Sequence, residues 1–257
     1  MELKSVDISG LTVRYLETDG KSDIPLIILH GWGSSADSWT NVARTLEKRG
    51  AKVFIPDLPG FGKSPEPPYP WGIAQYADFI NSFSQKLEVA KFSLAGHSFG
   101  GQIAIAYAAA HAQNLSNLIL IAAARIMRRK KLRVRLFLIA TKIGNLIFVL
   151  PPFVFLRPLV RKIWYRISGE RDYYRASTRM RETFKLVEEE VGSHLESISV
   201  PTLILWGDQD EATPIADARI IHERIQNSQL YIFSNAGHDL NFKKPVEIAQ
   251  KIYDFIR

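Results

Sequence analysis

At 257 residues, with 46% hydrophobic and 23% charged side chains, the chain has the make-up of an ordinary globular protein and the length for one sizeable core. It contains no cysteine, which excludes disulfides, thiolate metal sites and a cysteine nucleophile together. The net charge of +7 is unevenly spread: residues 125–185 carry 17 Lys and Arg against 3 Asp and Glu, so the rest of the chain is net acidic.

No apolar run follows Met1-Glu2-Leu3-Lys4-Ser5, so a secretory signal is not expected. Residues 3–18 form two alternating stretches around Ser9-Gly10, the pattern of a hairpin. The continuous apolar run 25–30 then stops at a glycine turn, as a strand buried on both faces would. Strand-like and helix-like segments alternate from there: strand 52–56, helix 75–89, strand 91–95, helix 101–112 and strand 118–123. Beyond residue 190 the alternation resumes with strand 202–206, helix 215–225, strand 230–233 and helix 245–256. This order predicts an α/β fold with a mostly parallel central sheet covered by helices on both faces.

Residues 125–190 break the rhythm. Leu132, Leu136, Ile139, Ile143, Ile147 and Leu150 recur at helical spacing, as do Met180, Phe184, Val187 and Val191, with no strand pattern between them. A helical cap over residues 125–190 is expected, inserted in a core made of 1–124 and 191–257. The longest apolar stretch, 143–156, is interrupted by Pro151-Pro152 and is too short for a membrane-spanning helix. A cytoplasmic location is the expectation.

Gly96-His97-Ser98-Phe99-Gly100 directly follows a predicted strand and opens a predicted helix. A sharp turn there projects the Ser98 hydroxyl and turns helix N-terminal amides toward a reacting carbonyl. The plainer alternative is a glycine-bracketed turn whose serine caps the next helix. A hydroxyl needs a base, and of six histidines His238, in the loop after the last predicted strand, is the best placed. His97 is expected to pack, while His111, His194 and His222 are expected at the surface. The base needs an acceptor, for which Asp208 and Asp210 compete; Asp208 is nearer the turn and suited to local backbone amides, whereas Asp210 can swing over the sheet edge. Two backbone donors are needed for an oxyanion, and the N–H groups of Phe99 and Trp32 are the candidates.

His30-Gly-Trp-Gly33, Asp57-Leu-Pro-Gly-Phe-Gly-Lys-Ser64, Gly96-His-Ser-Phe-Gly-Gly101, Trp206-Gly-Asp-Gln-Asp210 and Gly237-His238 together resemble the α/β-hydrolase superfamily in order and spacing. The resemblance implies that Ser98, Asp210 and His238 form a triad with the Trp32 and Phe99 amides as oxyanion hole, and that the insert is a lid. Serine rather than aspartate at position 98 argues against the related haloalkane dehalogenases and epoxide hydrolases. The His-Gly-Trp-Gly loop is closest to that of the pimeloyl-carrier-protein methyl esterase group.

The resulting expectation is hydrolysis of a carboxylic ester or thioester through an acyl-serine intermediate, with no metal and no cofactor. A C–C bond hydrolase with the same triad, or a non-catalytic binding protein of the same fold, is the alternative. Arg128, Arg129, Lys130, Lys131, Arg133 and Arg135 crowd the start of a predicted helix, where the helix dipole disfavours them. They suggest an acidic partner, an acyl carrier protein or an anionic membrane surface. No nucleic-acid motif accompanies the charge.

Overall fold

The computed structural model describes residues 1–127 and 176–257. The chain divides into two compact units, Met1–Met127 with Lys185–Arg257, and Arg128–Phe184. The basic cluster 128–135 and the apolar stripe 132–150 lie outside the described residues.

Hydrophobic runs at the centre and alternating stretches at the edges become the strands of one sheet. In chain order they are β1 (Glu2–Ile8), β2 (Leu11–Glu17), β3 (Leu26–Leu29), β4 (Val53–Pro56), β5 (Phe92–His97), β6 (Leu115–Ile121), β7 (Thr202–Gly207) and β8 (Ser228–Phe233). Among the described residues the sheet order is β1-β2-β4-β3-β5-β6-β7-β8. The hairpin β1–β2 turns at Ser9 (φ 52°) and Gly10 (φ 84°), two successive left-handed residues that match the twist of the flanking strands. It adds antiparallel to β4, and from β4 to β8 every pairing is parallel.

Parallel strands need crossovers, which helices of the intervening segments supply, and two further helices follow the last strand. The helices are α1 (Thr40–Glu47), α2 (Ile73–Lys86), α3 (Phe99–Ala110), α4 (Thr178–Leu186), α5 (Ile215–Arg224), α6 (Leu240–Lys243) and α7 (Pro245–Ile256). Val42, Ala43 and Leu46 of α1 join Ile248, Ala249 and Ile252 of α7 against Ile28, Ile55, Ala95, Ile119 and Leu205 of the sheet. Alternation along the strands sends Ile27, Leu94, Leu120 and Ile204, also fully buried, to the opposite face. Helix α1 is absent from the sequence reading, because eight residues with three apolar ones make too short a periodic signal.

The second apolar repeat behaves differently from expectation. Helix α4 ends at Leu186, so Val187 and Val191 are not on it. The carbonyl of Val187 accepts from the Gln102 side-chain amide at 2.8 Å, and the N–H of Val191 donates to the Arg125 carbonyl at 3.1 Å. The two groups that would have closed the next helical turn are thus engaged with the core, and the helix stops.

The turn from β5 into α3 is closely packed. A Cβ at Gly96 would stand 2.2 Å from the Gly100 carbonyl oxygen, and one at Gly100 would stand 2.4 Å from that of Leu29. Both opposing atoms are backbone and cannot rotate away. Replacing Gly100→Ala should therefore destabilise the protein by about 3 kcal/mol. Urea unfolding measures this, and a midpoint equal to that of the parent chain would show the turn to be looser than described.

Candidate active site

Ser98 sits at that turn with φ 53° and ψ −114°, a region that non-glycine residues occupy only when their surroundings force them. The force is visible. Its N–H donates to the Ile121 carbonyl at 3.0 Å, and its carbonyl accepts from Ala124 at 3.0 Å and Gln102 at 3.1 Å. The residue remains half-buried and lines a pocket of about 290 Å³ together with Trp32, His97, His238 and Phe242. Strain held at one polar residue beside a cavity is a recurrent mark of functional positions.

Strands β7 and β8 pair in parallel, Gly207 opposite Phe233, so the loops that leave them start side by side at one sheet edge. These loops bring Asp210 and His238 together: His238 Nδ1 lies 2.8 Å from Asp210 Oδ2. A carboxylate only accepts, so Nδ1 carries the proton and Nε2 is left with its lone pair. Asp210 is fully buried and accepts the N–H groups of Ala212 and Thr213, each at 2.8 Å, and the Thr213 hydroxyl at 2.8 Å. The Thr213 oxygen is also 3.2 Å from His238 Nδ1. Burial by itself would raise the Asp210 carboxyl, but His238 and the Thr213 donors outweigh it and hold the group below the usual carboxylate range. Asp208 does not compete; it accepts the Ala236 N–H at 3.2 Å, which ties the two loops together rather than bonding its own turn.

The loop 31–34 forms another wall of the pocket. A Cβ at Gly31 would be 3.4 Å from Ser98 Cβ, so this loop runs directly against the candidate nucleophile. The Trp32 ring packs edge-on to Phe61 and Phe99, with centroids 4.8 and 5.3 Å apart. Phe61 is held in turn by the loop 57–64. Asp57, fully buried, accepts Ala36 N–H at 2.7 Å, Lys63 N–H at 2.9 Å and the Arg14 guanidinium at 3.0 Å. His30 Nε2 accepts the Leu58 N–H at 3.0 Å, and the Tyr76 hydroxyl donates to the Pro59 carbonyl at 2.9 Å.

Comparison with known proteins decides the family. The family model of the alpha/beta hydrolase fold matches residues 24–194 and 172–245. The chain belongs to the α/β-hydrolase fold family. Lipase 3 of Moraxella sp. (strain TA144) is 28% identical over 258 residues, which cover 93% of this chain and 79% of that protein. The 2-hydroxy-6-oxononadienedioate/2-hydroxy-6-oxononatrienedioate hydrolase of Escherichia coli O81 (strain ED1a) is 25% identical over 98% of this chain and 94% of its own. Among solved structures, that of a membrane phospholipase A, a bacterial virulence factor, superposes with a TM-score of 0.78 at 27% identity, covering 99% of this chain and 85% of the other.

Three residues that support the candidate site do not stand out in the sequence. Thr213 was invisible because nothing in Ala212-Thr-Pro214 distinguishes it from a turn residue. Asp57 and His30 stand in motifs that were noticed, but their task, pinning one loop to another, is a matter of contacts between distant segments. His97, expected to pack, also makes a hydrogen bond: its Nε2 is 2.9 Å from the His238 carbonyl oxygen. His111 is partly exposed, and His194 and His222 are exposed. Among the described residues no group of acidic, His or Cys side chains could hold a metal ion, and no helix is long and apolar enough to cross a membrane.

Burial pushes the His30 imidazole down to about 4, and burial with the adjacent His238 ring does the same to His97, also to about 4. Both are neutral in the folded hydrolase at neutral pH. In the unfolded chain they regain ordinary values near 6.5 and take up protons that the folded state refuses. Stability is accordingly unaffected above about pH 6.5 and declines as the pH falls from there toward 4. Each imidazole contributes a slope of up to about 1.4 kcal/mol per pH unit. Denaturant unfolding between pH 7.5 and 4.5 tests this, and constant stability down to pH 5 would contradict the neutral assignment of both rings.

Proposed function

We propose that the hydrolase cleaves a carboxylic ester or thioester through an acyl-serine intermediate, with Ser98 as nucleophile, His238 as general base and Asp210 as the acid that orients it. The observation that carries this reading is the 2.8 Å bond between His238 and a buried, fully satisfied Asp210, in a ring that shares a pocket with a strained, half-buried serine. Nε2 of His238 takes the Ser98 proton as Oγ attacks the acyl carbon. The tetrahedral oxyanion is received by the N–H groups of Trp32 and Phe99, the latter at the start of α3, where the helix dipole adds to the attraction. Collapse of this intermediate breaks the bond to the alkoxide or thiolate, which leaves with the proton held by His238. Water, deprotonated by the same imidazole, then releases the acid and restores Ser98.

Thr213 serves this chemistry indirectly. Its hydroxyl donates to Asp210, adding to the hold that His238 and the Thr213 N–H already have on the ionised carboxylate, while its oxygen shares the His238 Nδ1 proton. The aromatic side chains of Trp32 and Phe242, which both line the pocket, are suited to an acyl chain. The Escherichia coli relative, named for hydrolysis of an oxo-dienedioate, keeps C–C bond cleavage as the second reading, since the same triad serves both.

A fluorophosphonate probe should label the purified chain at pH 8 and fail to label Ser98→Ala; a folded parent chain that resists labelling would favour a binding protein. Asp210→Asn should lower kcat on a p-nitrophenyl ester by about a thousandfold or more, because it imposes the wrong tautomer on His238. Thr213→Val should lower kcat by about tenfold, and unchanged turnover would remove Thr213 from the account. A series of p-nitrophenyl esters of increasing chain length, set beside a dienedioate diketone, separates esterase from C–C hydrolase and reports pocket depth.

A further inference from the structure

Strand β5, which ends at His97 beside Ser98, and strand β8, which leads to His238, are separated by β6 and β7. Three strand spacings make roughly 14 Å of sheet edge. The loop after β8 has to cross that distance and be received at the far side if its imidazole is to meet the hydroxyl. Near its origin the loop is tied down well: Ala236 N–H donates to Asp208, and the Ala236 carbonyl accepts from Gln209 at 2.9 Å. At the β5 end the contact is His97.

The His97 and His238 rings lie 4.8 Å apart, tilted by 42°, and His97 Nε2 is 2.9 Å from the carbonyl oxygen of His238 itself. A carbonyl only accepts, so Nε2 of His97 bears the proton and the ring is a fixed donor. Its orientation is constrained from two more sides. Trp39 packs against it with centroids 6.0 Å apart, and its Nδ1 lies 3.2 Å from where a Gly31 Cβ would stand. Burial keeps the ring neutral, so it adds no charge beside the base. The charged or titratable groups that act on it are His238, Asp210 and His30.

We propose that His97 is a positioning residue: by donating its Nε2–H to the His238 carbonyl, it holds the base-bearing loop over Ser98. The inference rests on the triad reading above. His97 and Ser98 are consecutive, so one strand end both presents the hydroxyl and sets the place of the imidazole that deprotonates it. A packing residue needs only the ring's volume; a positioning residue needs the donor as well.

Steady-state kinetics of the full chain on a p-nitrophenyl ester, with His97→Phe and His97→Gln, tell the two apart. Phe keeps a ring without a donor, and Gln places an amide N–H close to where Nε2 stood. His97→Phe should lower kcat by roughly tenfold to a hundredfold, the penalty of a misplaced base, with KM changed by less than about threefold. His97→Gln should recover most of that loss. The acidic limb of the kcat/KM profile should keep its position in both variants, because a neutral ring has no charge to lose. Equal kcat for His97→Phe and the parent, failure of Gln to restore what Phe loses, or a displaced acidic limb would each overturn the proposal. Should His97→Phe not fold, His97→Asn, whose amide stops short of the carbonyl, takes its place with the same expectation. Fluorophosphonate labelling of the parent chain checks the triad reading separately: without it that reading fails, whereas labelling with an undiminished His97→Phe defeats only the role given to His97.

Discussion

An imidazole whose Nδ1 is held by a carboxylate presents a free lone pair at Nε2, and the bond from His238 Nδ1 to Asp210 is where this structure meets the chief requirement of the proposed mechanism. A buried carboxylate is costly unless its oxygens are satisfied, and Asp210 is satisfied by Ala212, Thr213 and His238 together. Much of the surrounding architecture serves this one contact. Parallel pairing of β7 with β8 starts both loops at the same sheet edge. Thr213, whose carbonyl accepts the buried Trp206 indole N–H at 2.7 Å, anchors the acid's turn to the strand it came from.

Two buried histidines outside the proposed triad act as hydrogen-bonding posts of opposite sense. His30 receives a backbone N–H from Leu58 at Nε2 and therefore carries its proton at Nδ1, toward the Gly31 carbonyl 2.8 Å away. His97 donates at Nε2 and keeps Nδ1 unprotonated. An imidazole is the side chain that can be donor on one edge and acceptor on the other while remaining uncharged, which suits it to joining loops in a dry interior. Lysine or glutamate in either place would bring a charge with no partner to balance it.

The wall that faces Ser98 depends on an indirect chain of support. Asp57 and Arg14 fix the loop 57–64, that loop carries Phe61, and Phe61 with Phe99 backs Trp32. One end of this chain reaches Phe99 at the start of α3, so the two proposed oxyanion donors belong to residues packed ring against ring beside Ser98. Rigidity matters here because donors that must reorient during reaction lose much of their electrostatic advantage.

Much of this was legible in the residues. Apolar runs of four to six with glycine turns between them announced β3, β5, β6 and β7, since strands buried on both faces tolerate little else. The glycines around Ser98 announced a tight turn because only they fit there; His238 stood out by its place past the last strand, and the choice of Asp210 over Asp208 leaned also on the resemblance to the α/β-hydrolases. The sequence by itself thus determined the class of fold and singled out Ser98, Asp210 and His238 as the candidate side chains, in that order along the chain. What only the tertiary structure decided is how these are held: the order of strands that sets three spacings between β5 and β8, the support of Asp210 by Thr213, and the grip of His97 on the loop of His238. Local pattern records burial and turn preference, which act between near neighbours along the chain; those bonds join segments up to 141 positions apart, and no period along the sequence encodes them.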